Sequence, residues 1–488
     1  MKGRLSLNMS AVSAASSGSS RFLNTSADQL PAEALAALSE AAGPGNLLTD
    51  GADCWPYAYD NSRRQAPPGA VAFAVSHEQV QAIVSVCNRF RIPLVGRGSG
   101  TGTTGATVPF DHAVVLSFER MNRILSIDSD NRMATVEPGV TNAQLQAAAG
   151  ELGFFWPPDP TSAAVCTIGG NLAYNSAGPR AVKYGTPREN TLALRAVTGS
   201  GDSIRTGTMT TKGVVGYDLT RLLLGSEGTL AIITEATLRL TPLAQTKRTL
   251  SASYRDIHAA ARAVAAIMAQ PVTPCALEFM DRQALEMVRD FSSIDLPSDI
   301  GAMLIIEVDG MAYGIDEAVG QVAGAADIEG CIEINRAVTE ADVEKLWKTR
   351  KSLSPALRNV APKKINEDVA VPISRMPALI EGLEQLSAIH GITIVNFGHA
   401  GNGNIHVNLL VDPDDAQEMA RARACLDDVF SLVIELDGTL SGEHGVGVEK
   451  RDYIGRELDP VALRLMQRIK QEFDPNNILN PGKTLPPI

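Results

Sequence analysis

Five glycines fall within ten residues in the run GRGSGTGTTG (96–105), directly after the apolar stretch IPLV. A loop so poor in Cβ atoms packs no core of its own, but its backbone N–H groups can close around an anion. Ser99, Thr101, Thr103 and Thr104 add hydroxyl donors at the same place. What comes before the loop restricts the fold. AVAFAV (70–75) has strand character, and SHEQVQAIVSVCNRF (76–90) opens on a serine cap and repeats apolar residues at helical spacing. A strand, a helix, a second strand and a diphosphate-cradling loop are therefore expected. The run is not G-x-x-x-x-G-K-[ST], and it leads into Val108-Pro109 rather than a helix. A nucleotide triphosphatase and a plain Rossmann dehydrogenase both lose ground. A flexible linker is disfavoured by the apolar strand immediately before the loop.

The chain's 488 residues, 44% hydrophobic and 20% charged, are enough for two or three packed units. A net charge of −12 would repel a phosphate backbone, so nucleic acid is not an expected partner. The six cysteines are scattered without a C-x-x-C pair, which excludes an iron–sulfur or zinc cluster of the usual spacing. No run approaches the roughly 18 apolar residues of a membrane span. A reduced, cytoplasmic protein is expected, with peripheral membrane association and organellar targeting as lesser alternatives. The first 27 residues carry Lys2, Arg4 and Arg21, no acid, and much Ser and Ala. That composition suits a disordered tail and faintly resembles a transit peptide.

Beyond the loop, HAVVLSF, ILSIDSDNRMATVEPG, TLALRAVTGSGDSIRTG and TLAIITEATLRLTPL supply strands and hairpins up to about residue 245. After Pro242 strands and helices alternate: TKRTLSASY, a helix over 256–269, ALEFMD, AMLIIEVDG, a helix near 315–325, and IEGCIEI. This predicts an α+β chain whose second unit carries helices on one face of a sheet.

Only seven histidines occur in the chain, and three of them sit in two glycine-rich motifs. His399 and His406 lie in NFGHAGNGNIHVNLL (396–410), and His444 in SGEHGVG (441–447). IHVNLLV reads as a strand in which His406 and Asn408 share one face. Gly401 and Gly403 can fold His399 back toward His406, and Glu443 can supply a third, anionic donor. Two imidazoles and a carboxylate suit zinc, manganese or iron(II) and leave coordination positions open for substrate. The plainer alternative gives each histidine a structural hydrogen bond and each glycine a turn.

Five blocks, PLVGRGSGTGTTGATVP, VEPGVT, PPDPTSAAVCTIGGNLAYNSAG, YGTPRENTLALRAVTGSGD and GSEGTLAIITEATLRL, resemble in order and spacing the PCMH-type flavin-binding domain of the vanillyl-alcohol oxidase superfamily. The resemblance implies a two-subdomain domain with FAD between its halves and the diphosphate on Arg97, Gly98, Ser99, Gly100, Thr101, Gly102 and Thr103. It also implies cofactor contacts by backbone or hydroxyl groups of Gly139, Thr167, Gly169, Gly170, Asn171, Ile232, Ile233 and Thr234. Some relatives attach FAD covalently through a nearby histidine. None occurs between residues 78 and 111, so non-covalent FAD is expected.

FGHAGNGNIHVNL, SGEHGVGVEKRDYI and FDPNNILNPGK (473–483) further resemble the branch containing D-lactate dehydrogenase, the FAD subunit of glycolate oxidase and D-2-hydroxyglutarate dehydrogenase. That likeness implies His399, His406 and Glu443 as ligands of a divalent metal, zinc or manganese foremost, and His444 as the base. It implies Arg350 of LWKTRKSLSPAL as the grip on a substrate carboxylate, with Ser354 and Asn408 beside the substrate. Asn480 stands either near the flavin ring or as a pin of the tail. Trp156, Tyr174 and Trp347 are expected in the core.

The implied activity is oxidation of a D-2-hydroxy acid to the 2-oxo acid. Where 2-hydroxyglutarate-type relatives carry a lysine this chain has Asn366, so a monocarboxylate such as D-lactate or glycolate is favoured over D-2-hydroxyglutarate. A metal-free flavin alcohol or aldonolactone oxidase and a non-catalytic flavin subunit of a larger oxidase are the rivals. Quinone, a cytochrome, an electron-transfer flavoprotein and oxygen are all open as electron acceptor, and a homodimer is compatible with the sequence. The expected division is a tail over 1–27, an FAD domain over 28–245 with its core at 65–245, a substrate domain with a ferredoxin-like sheet over 246–437, and a segment over 438–488 that returns to the FAD domain.

Overall fold

Ser76 caps the helix His77–Phe90 by accepting from Gln79 N, and that helix crosses between two parallel strands, Ala70–Phe73 and Leu94–Arg97. The strand Val114–Ser117 lies between them and is parallel to both; Leu47–Leu48 closes the sheet antiparallel to Ala70–Phe73. Ala70–Phe73 and Val114–Ser117 are buried along their whole length, as strands of a covered parallel sheet are. The computed structural model describes residues 30–289 and 299–486, except for the side chains at 354, 355 and 358–360. The expected tail at 1–27 lies outside the described residues.

A second sheet is antiparallel throughout, with Ile124–Asp128, Met133–Val136, Ala231–Arg239, Thr191–Thr198 and Ser203–Gly207 in that order. Its core includes Trp156, whose indole N–H donates to Asn190 O. The strand Ala231–Arg239 of this second sheet is the seam between the two cores, since Ile232 packs in the first core and Ile233 in the second. This is the alternation a strand imposes on neighbouring residues.

The third sheet has seven strands, all antiparallel to their neighbours. Thr246–Tyr254, Ala276–Asp281, Ala302–Gly310 and Cys331–Arg336, with the crossover helices Ile257–Ala269 and Ile315–Ala326, take the spatial order fourth, first, third, second of the ferredoxin-like arrangement. Thr393–His399, Asn404–Val411 and Lys363–Ala370 extend it at the Ala276–Asp281 edge. The expectation of helices on one face is corrected here. Helices Ile257–Ala269, Ile315–Ala326, Met376–His390 and Ala416–Glu435 cover one face, while Arg282–Arg289 and Glu340–Val360 cover the other. The cause is visible in Asn404–Val411, every residue of which is buried, so neither face faces solvent.

The tail returns to the first sheet after a helix, Pro460–Phe473, that motif reading did not anticipate. Leu94 N donates to Ile478 O and Asn480 N to Leu94 O, which adds the tail to the edge strand that feeds the glycine loop. Asp474 organises that return: buried, it accepts from Ile478 N at 3.0 Å and Leu479 N at 2.7 Å and pairs with Lys470. Replacing Asp474 by Ala strands two buried N–H groups and takes the counter-ion from Lys470, which keeps its bonds to Thr229 O and Leu479 O. The substitution is expected to cost about 3 kcal/mol, read as a lower unfolding midpoint in urea.

Candidate active site

The chain reverses between the strands Thr393–His399 and Asn404–Val411 through the short turn Ala400–Asn402. Gly403 adopts φ +69°, and a Cβ there would run into Val371 O, so only glycine closes this turn. A Cβ on Gly401 would meet Val182, at 2.5 Å, on the helix Ala181–Tyr184 of the N-terminal half. One glycine makes the fold-back and the other lets the two halves of the chain touch. In the resulting pair Phe397 stands opposite His406 and His399 opposite Asn404, which brings the His399 and His406 rings to 5.2 Å, nearly perpendicular.

Glu443 completes the group from the far end of the sequence. Its Oε1 lies 3.1 Å from His399 Nε2, and its Oε2 accepts from Gly178 N at 2.6 Å and Ala177 N at 3.2 Å. Donor atoms of His399, His406 and Glu443 all lie within 4.8 Å of one another. Two imidazoles and a carboxylate at that spacing fit a divalent ion once His399 gives up its Nε2 proton; His399 and His406 are buried and Glu443 partly so. Burial alone would lower the His399 pKa, yet Glu278 and Glu443 on either side hold the imidazole up to about 10. His406 goes the other way: burial, with His444 and His399 nearby, puts it well below the ordinary range and keeps it neutral. Burial opposes ionisation of Glu443, but His399 holds it at about 2.

His444 stacks on His406 at 5.0 Å and 7°, and its Nδ1 lies 3.5 Å from the Asn366 amide nitrogen. Asp368, fully buried on the strand Lys363–Ala370, accepts from both Glu443 N and His444 N at 2.7 Å and from Asn404 at 2.6 Å. On the opposite side Glu227 accepts from Val446 N at 2.5 Å, Gly447 N at 2.8 Å and the Thr484 hydroxyl at 2.7 Å. Two acids, one on the strand Lys363–Ala370 and one in the turn before Ala231–Arg239, thus clamp the GEHG loop.

Arg350 sits on the helix Glu340–Val360, stacked over Phe397 at 4.9 Å. Its Nε donates to Glu278 Oε2 at 2.7 Å, while the terminal nitrogens make no hydrogen bond among the described residues. The guanidinium therefore keeps a free fork of donors, the geometry that grips a carboxylate. The Ser354 side chain lies outside the described residues. Asn408 is fully buried, donates to Val395 O and His406 O, and leaves its Oδ1 without a partner.

The glycine loop supplies the other half of the site. None of the backbone N–H groups from Gly98 to Thr104 donates to a protein acceptor among the described residues. The hydroxyls of Thr101 and Thr103 are likewise unengaged, and that of Ser99 donates to Val165 O. An open row of N–H groups on a half-buried loop fits a diphosphate. Arg97 contributes differently, for its guanidinium donates to Tyr59 O and Pro56 O and packs beneath Gly100. Gly139 and Gly169 have no room for a Cβ because Phe118 O and Pro138 stand there.

Thr167 caps the helix Ile168–Tyr174 by accepting from Gly170 N. The Asn171 side chain is taken up by Asn142, Cys166 and Ser176, and its backbone N–H and C=O are engaged with Thr167 and Ser176, so the structure gives Asn171 a structural role within this helix. Ile232 and Ile233 pair with Thr191–Thr198 on one edge only, since Met133–Val136 reaches no further than Ala236. Asn480 pins the tail through Ala106 O and Glu227 O while its Oδ1 stays unpartnered. Trp347 donates to Glu307 and is structural. Tyr174 departs from a plain core role, because its ring fills the space a Cβ would take at both Gly102 and Gly445 and so lies between the loop and the GEHG segment.

Sequence reading missed Glu278, which no motif flags because it stands in the ordinary strand segment ALEFMD. It also missed the clamp made by Glu227, although GSEG was conspicuous.

A diphosphate-ready loop opening toward a buried cluster of histidines, carboxylates and one free guanidinium defines a flavin-dependent oxidoreductase. Comparison with known proteins agrees: residues 68–207 match the FAD binding domain family and 243–484 the family of FAD linked oxidases, C-terminal domain. The chain belongs to the FAD-linked oxidase family and is an FAD-dependent enzyme. It is 40% identical to the glycolate oxidase subunit GlcD of Bacillus subtilis over 91% of this chain and 95% of that one. It is 38% identical to a D-lactate dehydrogenase of Archaeoglobus fulgidus over 86% of this chain and 93% of that one. Among solved structures, p-cresol methylhydroxylase shares the fold with a TM-score of 0.76 at 19% identity, covering 93% of this chain and 96% of that one.

A Cβ at position 98 would collide with the Thr167 hydroxyl. Gly98→Val is therefore expected to displace the loop and lower the FAD-to-protein ratio after gel filtration to well under half of wild type, read from the flavin absorbance.

Proposed function

We propose that this enzyme oxidises a D-2-hydroxy monocarboxylate, of the D-lactate or glycolate kind, to the 2-oxo acid. The observation that carries the reading is the placement of the free guanidinium fork of Arg350 beside the His399, His406 and Glu443 donor set, with His444 stacked on the same group. Relatives named glycolate oxidase subunit and D-lactate dehydrogenase support the hydroxy-acid class. When bound, FAD supplies the two-electron acceptor and a divalent ion, zinc or manganese, supplies Lewis-acid polarisation of the substrate hydroxyl.

The chain's own residues do the rest. Arg350 holds the substrate carboxylate in a two-point grip and so orients the carbon that must lose hydride. His444, whose Nδ1 lies 3.5 Å from the Asn366 amide nitrogen, accepts the hydroxyl proton. The unpartnered Asn408 Oδ1 offers an acceptor to the substrate. Asn366 brings a neutral amide where a second carboxylate would need a cation, which favours a monocarboxylate. Glu367 and Asp368 do not count against a carboxylate substrate, for Asp368 is engaged with backbone N–H groups and Glu367 lies 3.4 Å from Lys450. The six free cysteines form no cluster, so the reduced flavin passes its electrons to an acceptor outside this chain.

Anaerobic mixing with a panel of D- and L-2-hydroxy acids tests the reading: D-lactate or glycolate should bleach the flavin, chelation should abolish bleaching, and zinc or manganese should restore it. If no hydroxy acid bleaches the metal-supplied protein, the reading fails. His406→Ala should lose metal while retaining FAD, measured by metal analysis beside the flavin spectrum. Arg350→Lys should raise KM by about 10-fold or more, since a point charge replaces a planar fork.

A further inference from the structure

Glu278 is fully buried in the strand Ala276–Asp281, where its neighbours on the same face continue an apolar core through Met280. A carboxylate in that position is costly unless every partner is in place. It has two. Oε1 lies 2.6 Å from His399 Nδ1 and Oε2 accepts from Arg350 Nε at 2.7 Å. The first contact is imposed by the sheet itself, because Glu278 stands directly opposite His399 in the pairing of the two strands. The second reaches across to the helix Glu340–Val360, which the sheet register does not position.

We propose that Glu278 is a positioning residue that aligns the metal side and the carboxylate side of the site at once, an inference that rests on the hydroxy-acid reading. By accepting from His399 Nδ1–H it fixes the ring's orientation and leaves Nε2, the nitrogen already 3.1 Å from Glu443, as the one presented to a divalent ion. By accepting from Arg350 Nε it takes the one donor that does not belong to the terminal pair, so both terminal nitrogens stay directed at the substrate. One rigid carboxylate thereby sets the distance between the ion and the guanidinium, which is the distance a 2-hydroxy carboxylate must span.

Glutamine at 278 keeps the shape but has only one acceptor for two donors, so one partner faces an NH2 group. In FAD-loaded, chelator-stripped protein titrated with zinc or manganese, Glu278→Gln is expected to bind metal about 10- to 100-fold more weakly. FAD content should be unchanged, and at saturating metal KM for the hydroxy acid should rise by a larger factor than kcat falls. A purely structural acid would lower the melting temperature and leave these ratios alone. Metal affinity and KM within twofold of wild type would overturn the inference while the functional reading stands. A wild type that takes up no metal and oxidises no hydroxy acid overturns the functional reading and this inference with it. Should the variant lose FAD, a crystal structure of metal-loaded wild type decides: an ion on His399 Nε2 with Nδ1 still on Glu278 supports the proposal, and an ion on Nδ1 sinks it.

Discussion

Glu443 is where the halves of the molecule become one enzyme. One of its oxygens meets His399 on the seven-stranded sheet, and the other accepts from Gly178 N and Ala177 N in the N-terminal half. A carboxylate largely withdrawn from water is tolerable only when its partners are present. The donor set therefore forms only when the two halves are docked, and the contact of Gly401 with Val182 is what allows them to approach so closely.

From that point a line of alternating charge runs inward, from Glu443 to His399, to Glu278 and to Arg350. Each member is compensated by the next, and the line ends on the Arg350 guanidinium, whose terminal nitrogens make no hydrogen bond among the described residues. Around it Asp368 and Glu227 spend their carboxylates on backbone N–H groups of the GEHG loop. They fix that loop, and Asp368 also lies 3.6 Å from His406 Nδ1, within a second group of donors with His406 and His444. Electrostatic preorganisation of this kind needs side chains held by packing, which the continuous burial of Asn404–Val411 provides.

Much of this was legible in the sequence where the signal is local. The glycine loop, the serine cap at 76, the strand and helix around them and the fold-back between His399 and His406 each follow from neighbouring residues. The helix Pro460–Phe473 was overlooked because the short motifs around it drew the reading, although Asp459 and Pro460 mark its start in the usual way. Helices on both sheet faces were missed because a run such as NIHVNLLV alternates enough to suggest one solvated face, yet its histidine and asparagines are buried by the cluster they serve.

By itself the sequence determined the chemistry on offer: a backbone cradle for a diphosphate, two histidines forced together by a turn that only glycine can make, and an acid and a histidine side by side in GEHG. Such features depend on residues within a few positions of one another, where φ, ψ and strand alternation leave little choice. The tertiary structure alone decided which distant groups complete them. Glu278, 121 residues before His399, becomes its partner through strand pairing, and Glu227, 219 residues before Val446, becomes the clamp on its loop. Partnerships of that range are set by how sheets and halves pack, and burial then makes each unpaired charge too costly for the site to hold any other arrangement.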